Sequence, residues 1–324
     1  MAGEGAHYEC KRQGLPRLQS MKKVLLTGAS GFVGRHCLPG LTARGFEVHA
    51  VSKTRRVKTS TPAEVHWHHA DLLDKPQVCD LFSRVQPTHF LHCAWYAVPG
   101  EYWSASENFR WVEAGLQLLR AFAANGGERV LGVGTCAEYR WPAGRCSEAS
   151  TPLDPATTYG VCKHAFQILL NEFGKQAGLS TAWGRLFFLY GPNEYSDRLV
   201  ASMIRSILQE KSAFCSHSEH IRDFLYIQDA ADALVALLDS DISGAVNVAS
   251  GIPISLRDLV WAIGTQLERI DLVQLESRPM GGSDAPLVVA DVTRLRDEVG
   301  WVPKYDLQHG LAETIAWWKL QLES

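Results

Sequence analysis

The sequence predicts an α/β fold, a doubly wound parallel sheet of the Rossmann type with a smaller C-terminal α/β substrate domain. Three observations predict it. The apolar run Val24-Leu25-Leu26 ends in glycines spaced Gly28-x-x-Gly31-x-x-Gly34, as a strand does where it turns into a helix that holds a dinucleotide. Short apolar runs then alternate with longer helical patterns as far as residue 186, which marks parallel strands joined by crossover helices. Lastly, a strand closes on Thr135, and Tyr159 and Lys163 follow it, four residues apart.

Taken in order, residues 1–20 are polar, rich in Gly, Lys and Arg, and lack an apolar core. They read as a disordered extension and not a secretory signal. After the first strand, helical periodicity covers 33–43, and strands are expected over 47–51 and 64–68. A helix over 75–85 leads to a strand at 89–94, and a long helix over 104–125 to a strand at 129–134. The next helix spans 158–177 and the next strand 181–186. Beyond Gly191-Pro192 the pattern loosens into a helix at 198–209, a short strand at 223–227 and a helix at 227–238 opened by Asp229. Short elements then continue to Trp317-Trp318. This ordering divides the chain into a dinucleotide-binding domain, 21–185 with a later contribution from 223–250, and a substrate domain, 186–222 with 251–324. The cleft is expected between them, at the carboxyl ends of the strands.

Composition removes several classes of function. With 46% hydrophobic and 21% charged residues the chain can bury a large core, and a net charge of −3 with mixed signs gives no footprint for nucleic acid or an anionic membrane. No apolar segment approaches the ~20 residues of a membrane span. The eight cysteines are scattered without Cys-x-x-Cys, as in a reducing compartment, so the cytoplasm is expected. No metal set is read: His66, His68 and His69 alternate along a strand and do not converge.

The cofactor is read from the ends of the first three strands. Gly28 permits the tight turn, Gly31 lets backbone N–H groups approach a pyrophosphate, and Gly34 lets helix and strand pack closely. Gly28 through Gly34, with Ser30, Phe32 and Val33 between them, is therefore assigned to the dinucleotide. The second strand ends in Ser52-Lys53-Thr54-Arg55-Arg56, without the carboxylate that accepts from a ribose 2′-OH. A hydroxyl with basic groups suits a 2′-phosphate instead, so Ser52, Lys53, Arg55 and Arg56 indicate NADP(H), with NAD as the alternative. Asp71, followed by Leu72 at the end of the third strand, is placed to reach the adenine.

The chemistry is read from Thr135, Tyr159 and Lys163. A Tyr and a Lys at i and i+4 share one helix face, and the ammonium is expected to lower the phenol's pKa while also binding the nicotinamide ribose. A hydroxyl at a strand's carboxyl end faces the crevice where ligands bind.

With those residues in view, the chain resembles the extended short-chain dehydrogenase/reductase family, which contains sugar-nucleotide epimerases, dehydratases and reductases. The resemblance covers residues 22–320 and runs through Thr27 to Gly34, His92-Cys93-Ala94, Thr135 with Tyr139, Tyr159-x-x-x-Lys163, Arg185 to Tyr190-Gly191-Pro192, Arg222-Asp223-Phe224 and Gly300-Trp301-x-Pro303. It implies Tyr159 as acid/base with Thr135 and Lys163 as its partners, and Ala94 and Asn108 beside the cofactor. It implies Arg222 and Arg278 on the substrate diphosphate, with Arg198 a weaker candidate, and a homodimer through the helices near 104–125 and 158–177. The departures are informative. Family dehydratases follow the Thr with Asp-Glu, whereas this chain has Cys136-Ala137, with Glu138 one place further on; Phe188 also replaces an Asn that contacts the diphosphate. Trp95, Tyr96, Tyr102 and Trp103 crowd one loop, where Trp95 and Tyr96 are read either as stacking on a sugar or as loop packing. The resemblance implies a nucleotide-sugar substrate, with three activities in order: an NADP(H)-dependent keto reductase, an NAD-dependent C4 epimerase, and a non-catalytic nucleotide sensor.

Overall fold

The computed structural model describes residues 22–54, 64–141, 144–276 and 285–323. Arg55, Arg56, Arg278 and the first twenty residues, all assigned from the sequence, lie outside the described residues. Pairing begins at β1 (Lys23–Thr27), whose Val24, Leu25 and Leu26 are fully buried between helices on both faces. Then follow α1 (Phe32–Ala43), β2 (Glu47–Ser52), β3 (Val65–His69), α2 (Lys75–Val85), β4 (His89–His92), α3 (Glu107–Ala124) and β5 (Arg129–Thr135). A 3₁₀ turn, Cys136–Glu138, leads through β6 (Gly144–Cys146) to α4 (Thr158–Ala177), β7 (Ser180–Leu186) and β8 (Phe188–Tyr190). The second half adds α5 (Leu199–Leu208), β9 (Ala213–Ser216), β10 (Ile221–Tyr226), α6 (Ile227–Leu238), β11 (Gly244–Val248), β12 (Pro253–Ser255) and α7 (Leu256–Gln266). It closes with β13 (Val273–Glu276), β14 (Leu287–Ala290), α8 (Thr293–Asp297) and α9 (Leu307–Glu323).

Seven parallel strands form the main sheet in the order β11-β7-β5-β4-β1-β2-β3. The order reverses direction at β1, where β4 and β2 flank it, and a crevice opens at such a switch point. Helices α1 and α6 pack one face around Leu38, Leu41 and Leu234, and α2, α3 and α4 cover the other around Phe82, Phe122 and Phe166. The fold is thus the doubly wound one expected. A smaller sheet, β12-β10-β14-β6 with β8 paired to β10, and a two-stranded pair of β9 and β13 lie beyond it. Among the described residues no helix is long and apolar enough to cross a membrane.

Two glycines set the crevice. Gly28 takes φ +68, and a Cβ there would lie 2.8 Å from the Ala94 nitrogen of the next strand's end. A Cβ on Gly34 would lie 2.2 Å from the Gly28 carbonyl oxygen, so α1 starts closer to β1 than any other residue allows.

Some boundaries differ from expectation, each for a local reason. The long helix begins at Glu107 and not near 104, because Tyr102 and Ser104 donate into turns from Val98 and Glu101. The strand expected at 223–227 is Ile221–Tyr226, since Ile221 already pairs with Leu287 of β14. Strands β6, β8, β9 and β12 to β14 are runs of three or four residues, too short for alternation to show in the sequence.

Candidate active site

The site is built from the end of β5 outwards. Gly134 makes room for it: a Cβ there would lie 2.1 Å from Trp183 Nε1 and 2.4 Å from Glu138 Oε1. Into that space Glu138 folds back beneath the strand and is fully buried. It accepts from the Thr135 N–H at 2.8 Å, from Trp183 Nε1 at 3.0 and 3.1 Å, and from Arg185 Nε at 2.8 Å. Thr135 Oγ1 in turn accepts from the Ala137 N–H, closing a capping box on the 3₁₀ turn. Arg185 continues the network to Gln167 Oε1 at 2.7 Å and the Tyr139 hydroxyl at 3.1 Å, and Tyr139 donates to Asn247 Oδ1 of β11 at 2.8 Å. Thr135 is therefore fixed at the crevice by a buried ion pair.

Tyr159 is delivered by the start of α4. Thr157 caps the helix by accepting from the Gly160 N–H at 3.1 Å. Gly160 then permits contact with the turn, since a Cβ would lie 2.3 Å from the Ala137 carbonyl. The Tyr159 N–H donates to the Trp103 carbonyl at 3.1 Å, and its ring meets Tyr102 edge-on at 4.9 Å and Trp103 at 5.9 Å. Burial pushes the phenol's pKa up, Tyr102 adds to the rise, and a side-chain hydrogen bond with Thr135 works against it. Thr135 and Tyr159 are thus brought together.

Lys163, 4% exposed, behaves differently from expectation. Its Nζ donates to the Val133 carbonyl at 2.7 Å and sits 3.9 Å from the centre of the Trp95 ring, so its charge is directed at β5 and the indole. The phenol of Tyr159 is set by burial, which raises its pKa where a net lowering was expected. Burial lowers the lysine itself to about 7, with Glu138 and Cys93 opposing.

The remaining assigned residues fall into three groups. At the glycine turn, Gly31 donates to the Gly28 carbonyl, and the first turn of α1 carries neither a side-chain cap nor an acidic residue. The N–H groups of Phe32 and Val33 in that first turn, beside a close glycine cradle, fit a dinucleotide pyrophosphate. Ser52 Oγ lies 3.3 Å from Ser30 Oγ and 3.0 Å from Thr54 Oγ1, while Lys53 pairs with Asp71 at 2.8 Å and holds that carboxyl below its usual range. Leu72 is a core residue, and the Ala94 N–H faces Thr27 Oγ1 at 3.4 Å. Around the aromatic loop, Asn108 is fully buried and uses both amide hydrogens on the Tyr102 and Ala105 carbonyls, at 2.8 and 2.9 Å. Its oxygen accepts from Trp95 Nε1 at 2.8 Å, so here it organises the loop. Tyr96 donates to Glu101. In the second half, Arg198 lies over the Tyr102 ring at 5.3 Å, and Arg222 lies over Phe188 at 5.5 Å with Nη2 beside His220 Nδ1.

Reading the sequence missed the residues beneath the site. Trp183, Gln167 and Asn247 carry no motif, and nothing in their spacing announces the network they join. Arg35 was missed too: its Nη2 donates to the Ser30 carbonyl at 2.7 Å and its Nη1 to Asn193, tying the glycine turn to the loop after β8. In that loop Glu194 is 7% exposed, and burial raises its carboxyl to about 8.

Residues 24–249 match the model of the NAD dependent epimerase/dehydratase family. Over 332 residues the chain is 26% identical to the UDP-glucose 4-epimerase of Azospirillum brasilense, covering 93% of each. It is 27% identical to the GDP-6-deoxy-D-mannose reductase of Pseudomonas aeruginosa, covering 92% of this chain and 97% of the reductase. The structure of the Thermus thermophilus UDP-glucose 4-epimerase in complex with NAD superposes with a TM-score of 0.81 at 27% identity, covering 92% of this chain and 99% of that one.

Replacing Glu138 by Gln should leave a buried guanidinium without its charge partner. Breaking such a pair costs about 3–5 kcal/mol, so the urea midpoint should fall accordingly. An unchanged midpoint would show that Arg185 finds its stabilisation elsewhere.

Proposed function

The chain belongs to the NAD dependent epimerase/dehydratase family, and within it we propose an NADP(H)-dependent reductase of a keto group, at C4, on a nucleotide-activated sugar. One observation carries the reading. Glu138, the carboxylate nearest Thr135 in sequence, is fully buried on Arg185, so hydroxyls and an ammonium serve the reacting end. Such groups suit proton-coupled hydride chemistry at a carbonyl. Elimination of water needs a carboxylate there, and Cys136-Ala137 offers none.

When bound, the nicotinamide supplies a hydride to the keto carbon. Tyr159 gives its phenolic proton to the carbonyl oxygen as negative charge develops, and Thr135 Oγ hydrogen-bonds the same oxygen. A phenol raised by burial is protonated at neutral pH, the form that reduction consumes. Lys163 holds the ribose. Arg222, with Arg198 and Arg278, takes the substrate diphosphate through charge-assisted hydrogen bonds.

A C4 epimerase is the second reading, favoured by the likeness to UDP-glucose 4-epimerases. An epimerase must turn both faces of a keto sugar to one hydride donor. Tyr102 and Trp103 pack on the Tyr159 ring, and the reductase reading takes them to restrict that turn.

The acid-free end of β2 supports NADP(H). Because Asp71 occupies Lys53, the weight falls on Ser52, with Arg55 and Arg56 following in sequence. The exposed Phe109 of α3 and Val161 and Ile168 of α4 support a homodimer through these paired helices. Sedimentation should give a dimer mass that Ile168→Glu halves; a monomer before substitution rejects the pairing.

Two further outcomes are expected. Ser52→Asp should reverse a preference for NADPH over NADH, because a carboxylate repels the 2′-phosphate and accepts from a 2′-OH. Equal dissociation constants for both cofactors in the unaltered protein would contradict the assignment. Tyr159→Phe should lower turnover about 10²–10⁴-fold with NADPH binding kept, in line with loss of a general acid. Full turnover in that variant would remove Tyr159 from the chemistry.

A further inference from the structure

The sequence leaves Trp95 between stacking on a sugar and packing a loop, and its neighbours assign it another role. The face of the indole lies against the Lys163 ammonium, with Nζ 3.9 Å from the ring centre while the same Nζ donates to the Val133 carbonyl. On the opposite edge Trp95 Nε1 donates to Asn108 Oδ1 at 2.8 Å. Asn108 is itself fixed by two bonds to the Tyr102 and Ala105 carbonyls, and Trp111 and Phe166 back the indole at 6.3 and 6.0 Å. The ring cannot tilt away from the amine without breaking the Asn108 bond.

We propose that Trp95 is a positioning residue for Lys163: its indole face holds the ammonium charged and in place in a dry pocket, and Asn108 sets the angle of the indole. Three titratable groups couple to the amine: Glu138 from the turn after β5, and His92 and Cys93 from the end of β4. Glu138 and Cys93 favour the charged form, but Glu138 is shared with Arg185. His92 is brought down to about 3 by burial and by Lys163, so it is neutral and gives no support. Burial works against the ammonium, and the electron-rich face of Trp95, 3.9 Å from Nζ, opposes it. A desolvated contact of this kind corresponds to about one to one and a half pKa units.

The direction follows. Lys163 with Trp95 keeps its proton to a higher pH than without it. Affinity for the nucleotide should therefore hold below the lysine's midpoint and fall as pH rises through it. Without the indole that fall should set in about one pH unit lower. The link to cofactor affinity rests on the proposed role of Lys163 as the ribose ligand.

The test titrates Lys163 directly in the cofactor-free protein, by competitive acetylation across the neutral range with the modified peptide read by mass spectrometry. The unaltered protein should give a midpoint below that of an exposed lysine, since burial lowers it. Trp95→Leu should lower it by about one unit, and Trp95→Phe, with a weaker ring face, by less. Stepwise fluorination of the indole at position 95 keeps shape and the Asn108 bond while draining the ring face, so the midpoint should fall with each fluorine. NADPH dissociation constants measured over the same pH values should follow the midpoint. A midpoint unmoved by fluorination overturns the proposal, as does a Trp95→Leu effect on affinity of the same factor at every pH. A midpoint that moves while NADPH affinity does not follow keeps the contact and removes Lys163 from the cofactor's ligands.

Discussion

The arrangement depends on one buried ion pair, Glu138 with Arg185, whose side chains are 0 and 1% exposed. Two charges taken from water are costly, and attraction offsets that cost only where geometry is close and the remaining donors and acceptors are satisfied. Here they are. Glu138 also receives the Thr135 N–H and the Trp183 indole, and Arg185 uses its other nitrogens on Gln167 and Tyr139. The pair thereby joins β5, the 3₁₀ turn, α4 and β7, and reaches β11 through Tyr139 and Asn247. Thr135 stands on this knot, and Tyr159 packs against the same turn through Gly160. A carboxylate beside Thr135 is thus committed to the foundation of the site.

Two further carboxylates hold the second half of the chain in the same manner. Asp223, fully buried, accepts from the Ser250 N–H and hydroxyl and from the Gly251 and Ala290 N–H groups, at 2.6 to 3.1 Å. It thus locks β10 to β14 and to the loop after β11, and fixes the course of the strand that carries Arg222. Asp229 at the start of α6 accepts from the Lys304 and Tyr305 N–H groups, pinning the approach to α9. In both cases a short side chain satisfies backbone donors that irregular structure leaves open.

Much of this was legible in the chain. The glycine turn, the alternation of strand and helix, and the order Thr135, Tyr159, Lys163 depend on local chemistry, so the residues themselves announce them. What stayed hidden depends on contacts between distant segments. Glu138 looked uncommitted because its partner lies on β7, reached only once the sheet forms. Lys163 was expected to act on Tyr159 because i and i+4 share a face, yet the Val133 carbonyl and the Trp95 ring take its charge. Asn108 was placed beside the cofactor, whereas its amide is taken up within the loop before its own helix. Helical spacing gives neighbours along an element but not the competitors that other elements bring.

In the proposed reduction, hydride passes to a keto carbon with net consumption of cofactor. The most direct measurement supplies 4-deuterated NADPH together with a 4-keto-6-deoxy sugar nucleotide and locates the label by NMR. The account predicts stoichiometric deuterium on the former keto carbon and an equal amount of oxidised cofactor. Inversion of a hydroxyl sugar with no cofactor consumed, and no label retained at that carbon, would contradict it and leave the epimerase in its place.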